Sequence, residues 1–133
     1  MRLKALMIIA FLAICSSASA QFAWPEDPEQ RSEAQTLWTL FDDNYRQGNY
    51  EAAKPHLAKL VEKFPTLSTA LYINGIKVWE ESYDNAKVDA EKDKAAEMVL
   101  KLYDMRFENF EGEEEKAIDR KAIAAYKFYV RDA

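Results

Sequence analysis

From Asp27 to Arg131, apolar residues recur three and four positions apart in five runs separated by glycine, proline or short polar breaks. That period marks helices with one buried face, whereas a half-buried strand would alternate at every second residue. No run of alternating β-branched residues is bounded by turn signals on both sides. The chain is therefore predicted to be all-α, with successive helices folding back on one another as antiparallel pairs.

Each run has its own start or stop. Asp27-Pro28-Glu29-Gln30 reads as a helix start: Asp27 can cap, Pro28 suits the first helical position, and Gln30 completes a capping-box pattern. Ala34, Leu37, Trp38, Phe41 and Tyr45 then form one face, until Gln47-Gly48-Asn49 breaks the period. Tyr50, Ala53, Leu57, Leu60, Val61 and Phe64 make a second face, with Pro55 early in the helix and Pro65 ending it. The third helix is expected from about Ser68 to Ala86, with Leu71, Gly75, Val78 and Trp79 in register. Asn74-Gly75 could turn a hairpin elsewhere, but no alternating strands flank it here, so helix is the reading. Asp89 is expected to cap a fourth helix carrying Ala95, Val99, Leu102, Tyr103 and Phe110, which the Glu111-Gly112 break ends. A fifth follows, from about Glu113 to Arg131, with Ile118, Ala122, Ala125 and Tyr129 as its expected inner face.

The first twenty residues differ in kind. Arg2 and Lys4 precede an apolar run from Ala5 to Ile14, and a small-residue stretch ends in Ala18-Ser19-Ala20. The run is about ten residues long, half of what a helix needs to span a bilayer, so residues 1–20 read as a signal peptide cleaved after Ala20. A lipid-bearing Cys15 is the weaker reading, because Ile14 stands where lipoprotein processing needs a small residue. The mature protein is then periplasmic or secreted, without a transmembrane helix. It comprises a lead-in at 21–27 and a helical domain at 28–131. Cleavage removes the only cysteine, and with it any disulfide or thiolate chemistry. It also removes Arg2 and Lys4, so 18 − 2 = 16 basic side chains face 23 acidic ones, a mature net charge of −7. Such a chain repels phosphate backbones, which argues against nucleic acid as a general partner.

Residues 47–65, from Gln47 through Gly48, Tyr50 and Ala53 to Pro65, resemble the second half of a tetratricopeptide repeat. That family places a Gly-x-Tyr turn before its second helix, a small residue three positions after the Tyr, and a closing Pro. The residue types suit such a turn: Gly relieves it, Ala53 allows close helix approach, and Pro65 forbids continuation. A step of about 34 residues, the repeat period, carries Leu37 onto Leu71 and Phe41 onto Gly75. Gly75 fits the small first-helix position that Phe41 does not, and Asn74 occupies a place that is normally apolar. The resemblance covers about residues 33 to 131, and the order of segments is similar to the start of exported bacterial members, which are usually longer. It implies a solenoid of about five helices, a protein or peptide partner in the cell envelope, and no cofactor.

Catalytic constellations are missing from the sequence. His56 is the lone histidine, with no cysteine, second histidine or Gly-x-Ser-x-Gly to support it. Asp42-Asp43 and Glu80-Glu81 are helix neighbours whose side chains diverge. The acidic run at Glu111 and Glu113–Glu115 is accounted for by the dipole of the helix it opens. No EF-hand spacing, dinucleotide fingerprint or P-loop occurs. The expected role is non-enzymatic.

In the family, the first helices of successive repeats line a concave surface that grips partners. The resemblance places Trp38, Asp42 and Tyr45 on one such helix, and Tyr72, Ile76 and Trp79 on the next. Aromatics suit a groove because they offer large contact area with little rotamer freedom to lose, yet they equally suit the core between helices. Two alternatives stay open beside the binding module. One is an N-terminal structural segment of a larger solenoid. The other is a helical bundle with an enzymatic or small-ligand pocket.

Overall fold

A computed structural model describes residues 21–130, which form five α-helices and no strand. They are α1 (Pro28–Arg46), α2 (Tyr50–Lys63), α3 (Thr69–Asn85), α4 (Asp89–Asn109) and α5 (Glu113–Val130). The expected all-α class and the expected breaks hold. Asp27 stays extended, and its Oδ1 accepts the Gln30 N–H at 2.9 Å to start α1. At the other end Gly48 adopts φ +73, so that its N–H reaches Tyr45 O at 3.0 Å while the Asn49 N–H reaches Asn44 O at 2.8 Å. This pair of reversed bonds closes a helix only around a left-handed residue, which is why the break needs glycine. Ser68 opens α3 by accepting the Ala70 N–H at 3.2 Å.

Each helix packs on its chain neighbour, and the contacts are most extensive within the pairs α1–α2 and α3–α4. Connections of three to five residues return each helix alongside the last, giving a serial, solenoid-like stack. Phe41, Ala53, Leu57, Leu60, Leu71, Tyr72, Val78, Val99 and Leu102 are buried at its centre. Gly75 sits where three helices converge. A Cβ there would lie 2.9 Å from Leu57 Cδ1 and 3.5 Å from Leu102 Cδ1, so α3 approaches α2 and α4 as closely as glycine permits. Asn74-Gly75 is thus helix interior, and its glycine serves a crossing rather than a turn.

Three details depart from expectation. Val88, not Asp89, precedes α4 without a side-chain cap, and Glu91 instead reaches back to the Lys87 N–H at 3.3 Å. Asp89 is already helical, where its charge still favours the helix N-terminus. Phe110 falls just past the end of α4, its ring edge-on to Tyr72 at 6.0 Å. The register of α5 is also corrected. Ala117, Ala124 and Phe128 are buried, whereas Ile118 and Tyr129 are 41% and 73% exposed. The helix carries two apolar stripes about 110° apart at ~100° per residue. The inward one is selected by Phe128, whose ring lies 4.6 Å from that of Tyr83, and by an ion pair from Glu113 to Arg106.

Candidate binding cleft

The six residues expected to line a groove do not share one surface. Trp38 is covered by the lead-in: Phe22 meets its ring edge-on at 4.9 Å and stacks on Trp24 at 5.0 Å. The lead-in is held there by the Ala23 N–H donating to Leu67 O at 2.8 Å and by Arg31 Nε donating to Pro25 O at 2.9 Å. Tyr72 is fully buried and its hydroxyl donates to Pro65 O at 2.7 Å. Burial, with Glu108 adding to it, pushes that hydroxyl up to about 12. Trp79 is buried toward α2 and α4, with Lys54 Nζ 4.4 Å above its ring and Lys94 on the same indole at 5.9 Å. Asp42 is half-buried and paired with Arg46 at 2.6 Å. Tyr45 and Ile76 remain, and they lie together in an open cleft.

That cleft has a volume of about 420 Å³. Tyr45 of α1 closes one end. Helix α3 contributes Ile73, Ile76, Lys77 and Glu80, and α5 contributes Arg120, Ile123, Ala124, Lys127 and Phe128. Tyr103 and Arg106 of α4 lie between them. The cleft is therefore framed by α1, α3 and α5, the first, third and fifth helices of the stack. Its floor of Ile76, Tyr103, Ala124 and Phe128 is buried, while Ile73 and Ile123 are exposed at its edges. Sequence reading missed the whole α5 contribution. Arg120, Ile123, Ala124 and Lys127 do share a face at three- and four-residue spacing, but the more apolar Ile118–Tyr129 stripe masked it.

The lining is basic in an acidic protein. Lys77, Arg106, Arg120 and Lys127 line the cleft, and Glu80 is its single acidic residue among the described residues. Three of the cations are already partnered: Lys77 with Glu81 at 3.0 Å, Lys127 with Asp84 at 2.5 Å and Arg106 with Glu113 at 2.5 Å. Arg120 has no carboxylate within 4.0 Å among the described residues. Burial raises the Glu80 carboxyl above the ordinary carboxylate range, against the opposing pull of Lys127 and Lys77. Burial, reinforced by Glu80, likewise raises Tyr103.

Beneath this lining lies the one strongly buried ion pair among the described residues. Arg106 Nε donates to Glu113 Oε2 at 2.9 Å, and Lys116 Nζ reaches Oε1 at 3.0 Å. Burial alone would raise the Glu113 carboxyl, but the hydrogen bonds from Arg106 and Lys116 outweigh it and hold the group below its usual range. The pair orients the guanidinium at the cleft floor. Among the described residues no group of three or more His, Cys, Asp and Glu is placed to hold a metal ion, and no helix is long and apolar enough to cross a membrane. Compared with protein-family models, curated proteins and solved structures, the chain gives no significant match.

Proposed function

We propose that this chain is an exported, non-enzymatic helical-repeat module whose cleft holds a segment of a protein or peptide partner in the cell envelope. The observation that carries the reading is the cleft itself: an apolar floor rimmed by cations, in a chain with 23 acidic and 18 basic residues. The partner segment that fits places an acidic side chain near Arg120 and apolar ones over Ile76, Ile123 and Phe128. Such a segment gains apolar burial, and its charge finds a guanidinium that has no carboxylate of its own among the described residues. The tetratricopeptide resemblance supports a peptide-sized ligand in a concave face, and the leader-like N-terminus supports the compartment. Residues 1–20 lie outside the described residues. The mass of the native N-terminus tests the export reading, with Gln21 expected and a diacylated Cys15 contradicting it.

The binding reading is tested by affinity capture from envelope extracts with the full chain, as its host processes it. One recurrent partner is expected, and its acidic, apolar segments should compete as synthetic peptides. Arg120→Glu should weaken their binding by about tenfold or more, since it turns an attraction into a repulsion. Tyr45→Phe should cost up to ~1 kcal/mol if its hydroxyl is buried against the partner. Variants that fold normally and bind as tightly as the parent would move the site elsewhere.

A further inference from the structure

Helix α5 presents a second surface that the cleft does not use. Of the eight large apolar side chains exposed among the described residues, five belong to α5: Ile118, Ile123, Tyr126, Tyr129 and Val130. Scattered exposed apolar residues are ordinary, but such a concentration on one helix marks an interaction surface. Ile123 edges the cleft. Ile118, Ala122, Ala125 and Tyr129 instead fall within an arc of about 60°, turned about 110° from the buried face. Tyr126, 70% exposed, flanks this stripe beside Ala122.

The order of residue types along the stripe reads the same in both directions: large, small, small, large, at spacings of four, three and four. That symmetry names its own occupant. We propose that α5 pairs with α5 of a second copy of this chain, antiparallel, about a two-fold axis between Ala122 and Ala125. A two-fold contact is self-complementary, so residue i meets j and j meets i. Here Ala122 faces Ala125 of the second copy, and Ile118 faces its Tyr129. The alanines let the helix axes approach toward ~8 Å at the crossing, and the large side chains fill the wider space at either end.

Charge selects the same orientation. Glu114, Glu115 and Asp119 all lie near the N-terminal end of the stripe. Parallel pairing would set these carboxylates against their own copies, and like charges repel across a helix pair. Antiparallel pairing puts the two Glu115 residues about 25 Å apart at ~1.5 Å per residue, and opposes the helix dipoles favourably. Covering Tyr126 and Tyr129 of two copies removes on the order of 500 Å² from water. Ile118 and the alanines bring the contact toward the ~1,000 Å² at which specific, reversible dimers begin. Because the stripe and the cleft occupy different faces of α5, a dimer leaves both clefts open.

Sedimentation equilibrium of the full chain, as its host processes it, tests this between about 1 and 200 µM, the range in which a contact of that area should associate. A monomer–dimer equilibrium is expected. Ile118→Lys and Tyr129→Glu should each raise the dimer dissociation constant about tenfold or more, because each buries a lone charge at the contact. Both positions are exposed, so circular dichroism should remain that of the parent. The double variant Ile118→Lys/Tyr129→Glu should return the constant to within about threefold of the parent, since each lysine then meets the other copy's glutamate. A monomer throughout the range overturns the proposal. So does a dimer indifferent to both single variants, a double variant no better than the singles, or a native chain whose α5 stripe is covered by a different protein or a further helical segment.

Discussion

The two ends of the helical stack are closed in different ways. At the first end, α1 and α2 are sealed by aromatic rings: Phe22, Trp24, Trp38 and Phe41 form a continuous chain of contacts, and Tyr45 extends it to Tyr50 at 6.0 Å. At the last end, α4 and α5 rest on a small apolar contact and a buried ion pair, and an apolar stripe stays open to water. The apolar burial of these rings is non-directional and shares its contribution among many residues. The ion pair is directional and concentrates its contribution in two. The first end should therefore yield gradually to substitution, and the second all at once.

The sharpest way to break that contrast is Glu113→Ala. It leaves the Arg106 guanidinium buried without its carboxylate, and breaking a buried pair from one side costs about 3–5 kcal/mol. Chemical denaturation should show the loss, with Arg106→Ala close behind. The pair also sets a pH dependence. The folded-state carboxyl of Glu113 is held below its ordinary value. Its contribution is thus fully present above the unfolded value of about 4.3 and fades as pH falls through the folded one. The parent should lose more stability below about pH 4 than Glu113→Gln does. Equal acid sensitivity would mean the pair holds nothing.

At the opposite end the probe is Ala53→Phe. Ala53 is fully buried where α2 meets its neighbours, so a benzyl group there overpacks the crossing and should cost ~1–3 kcal/mol. A single, less stable unfolding transition is the expected readout. A loss as large as that of Glu113→Ala would erase the contrast between the two ends, whereas an unchanged melting temperature would mean that Ala53 is not held at a tight crossing.

What could be read from the sequence follows the same division. Around Gly48 and Ala53 every local signal points one way, and capping, turn chemistry and apolar period all specify the pair α1–α2. At α5 the period alone was ambiguous. Two stripes satisfied it, and the more apolar one is the exposed one. Only the tertiary partners Arg106 and Tyr83 decide between them, and no spacing rule contains them. The groove suffered from the same gap. Tyr45 and Ile76, expected on the first and third helices, do lie together in the cleft. Trp38 is covered by the ring of Phe22, itself stacked on Trp24 in the lead-in, a contact that no helical period encodes. Trp79 lies about 110° around α3 from the centre of its cleft-facing residues, at ~100° per residue, and packs toward α2 and α4 instead. The basic lining of α5 was invisible until its register was known.

The smallest expected effect concerns the cleft, where one acidic residue opposes the cations. Glu80 faces Lys77 and Lys127 from its own side and from α5, with Asp84 and Glu81 nearby on α3. Burial raises its carboxyl, so it takes up a proton at a higher pH than an ordinary glutamate. As pH falls from neutral, the charge of Glu80 is therefore lost ahead of the aspartates and glutamates of a bound segment, which stay ionised above about 4.3. Binding of an acidic peptide should tighten by about two- to threefold as Glu80 is protonated, since a partly exposed charge is worth only a fraction of a kcal/mol. Glu80→Gln should bind at neutral pH as tightly as the parent does once Glu80 is protonated, and its affinity should be flat with pH above about 4.3. Fluorescence anisotropy with one labelled peptide measures both curves. If the parent's affinity is also flat while Arg120→Glu still weakens binding, the acidic group sits on the α5 side of the cleft, beyond the reach of Glu80. If affinity falls on acidification in both proteins, the segment in the cleft is not acidic, and the basic rim serves the fold rather than the ligand.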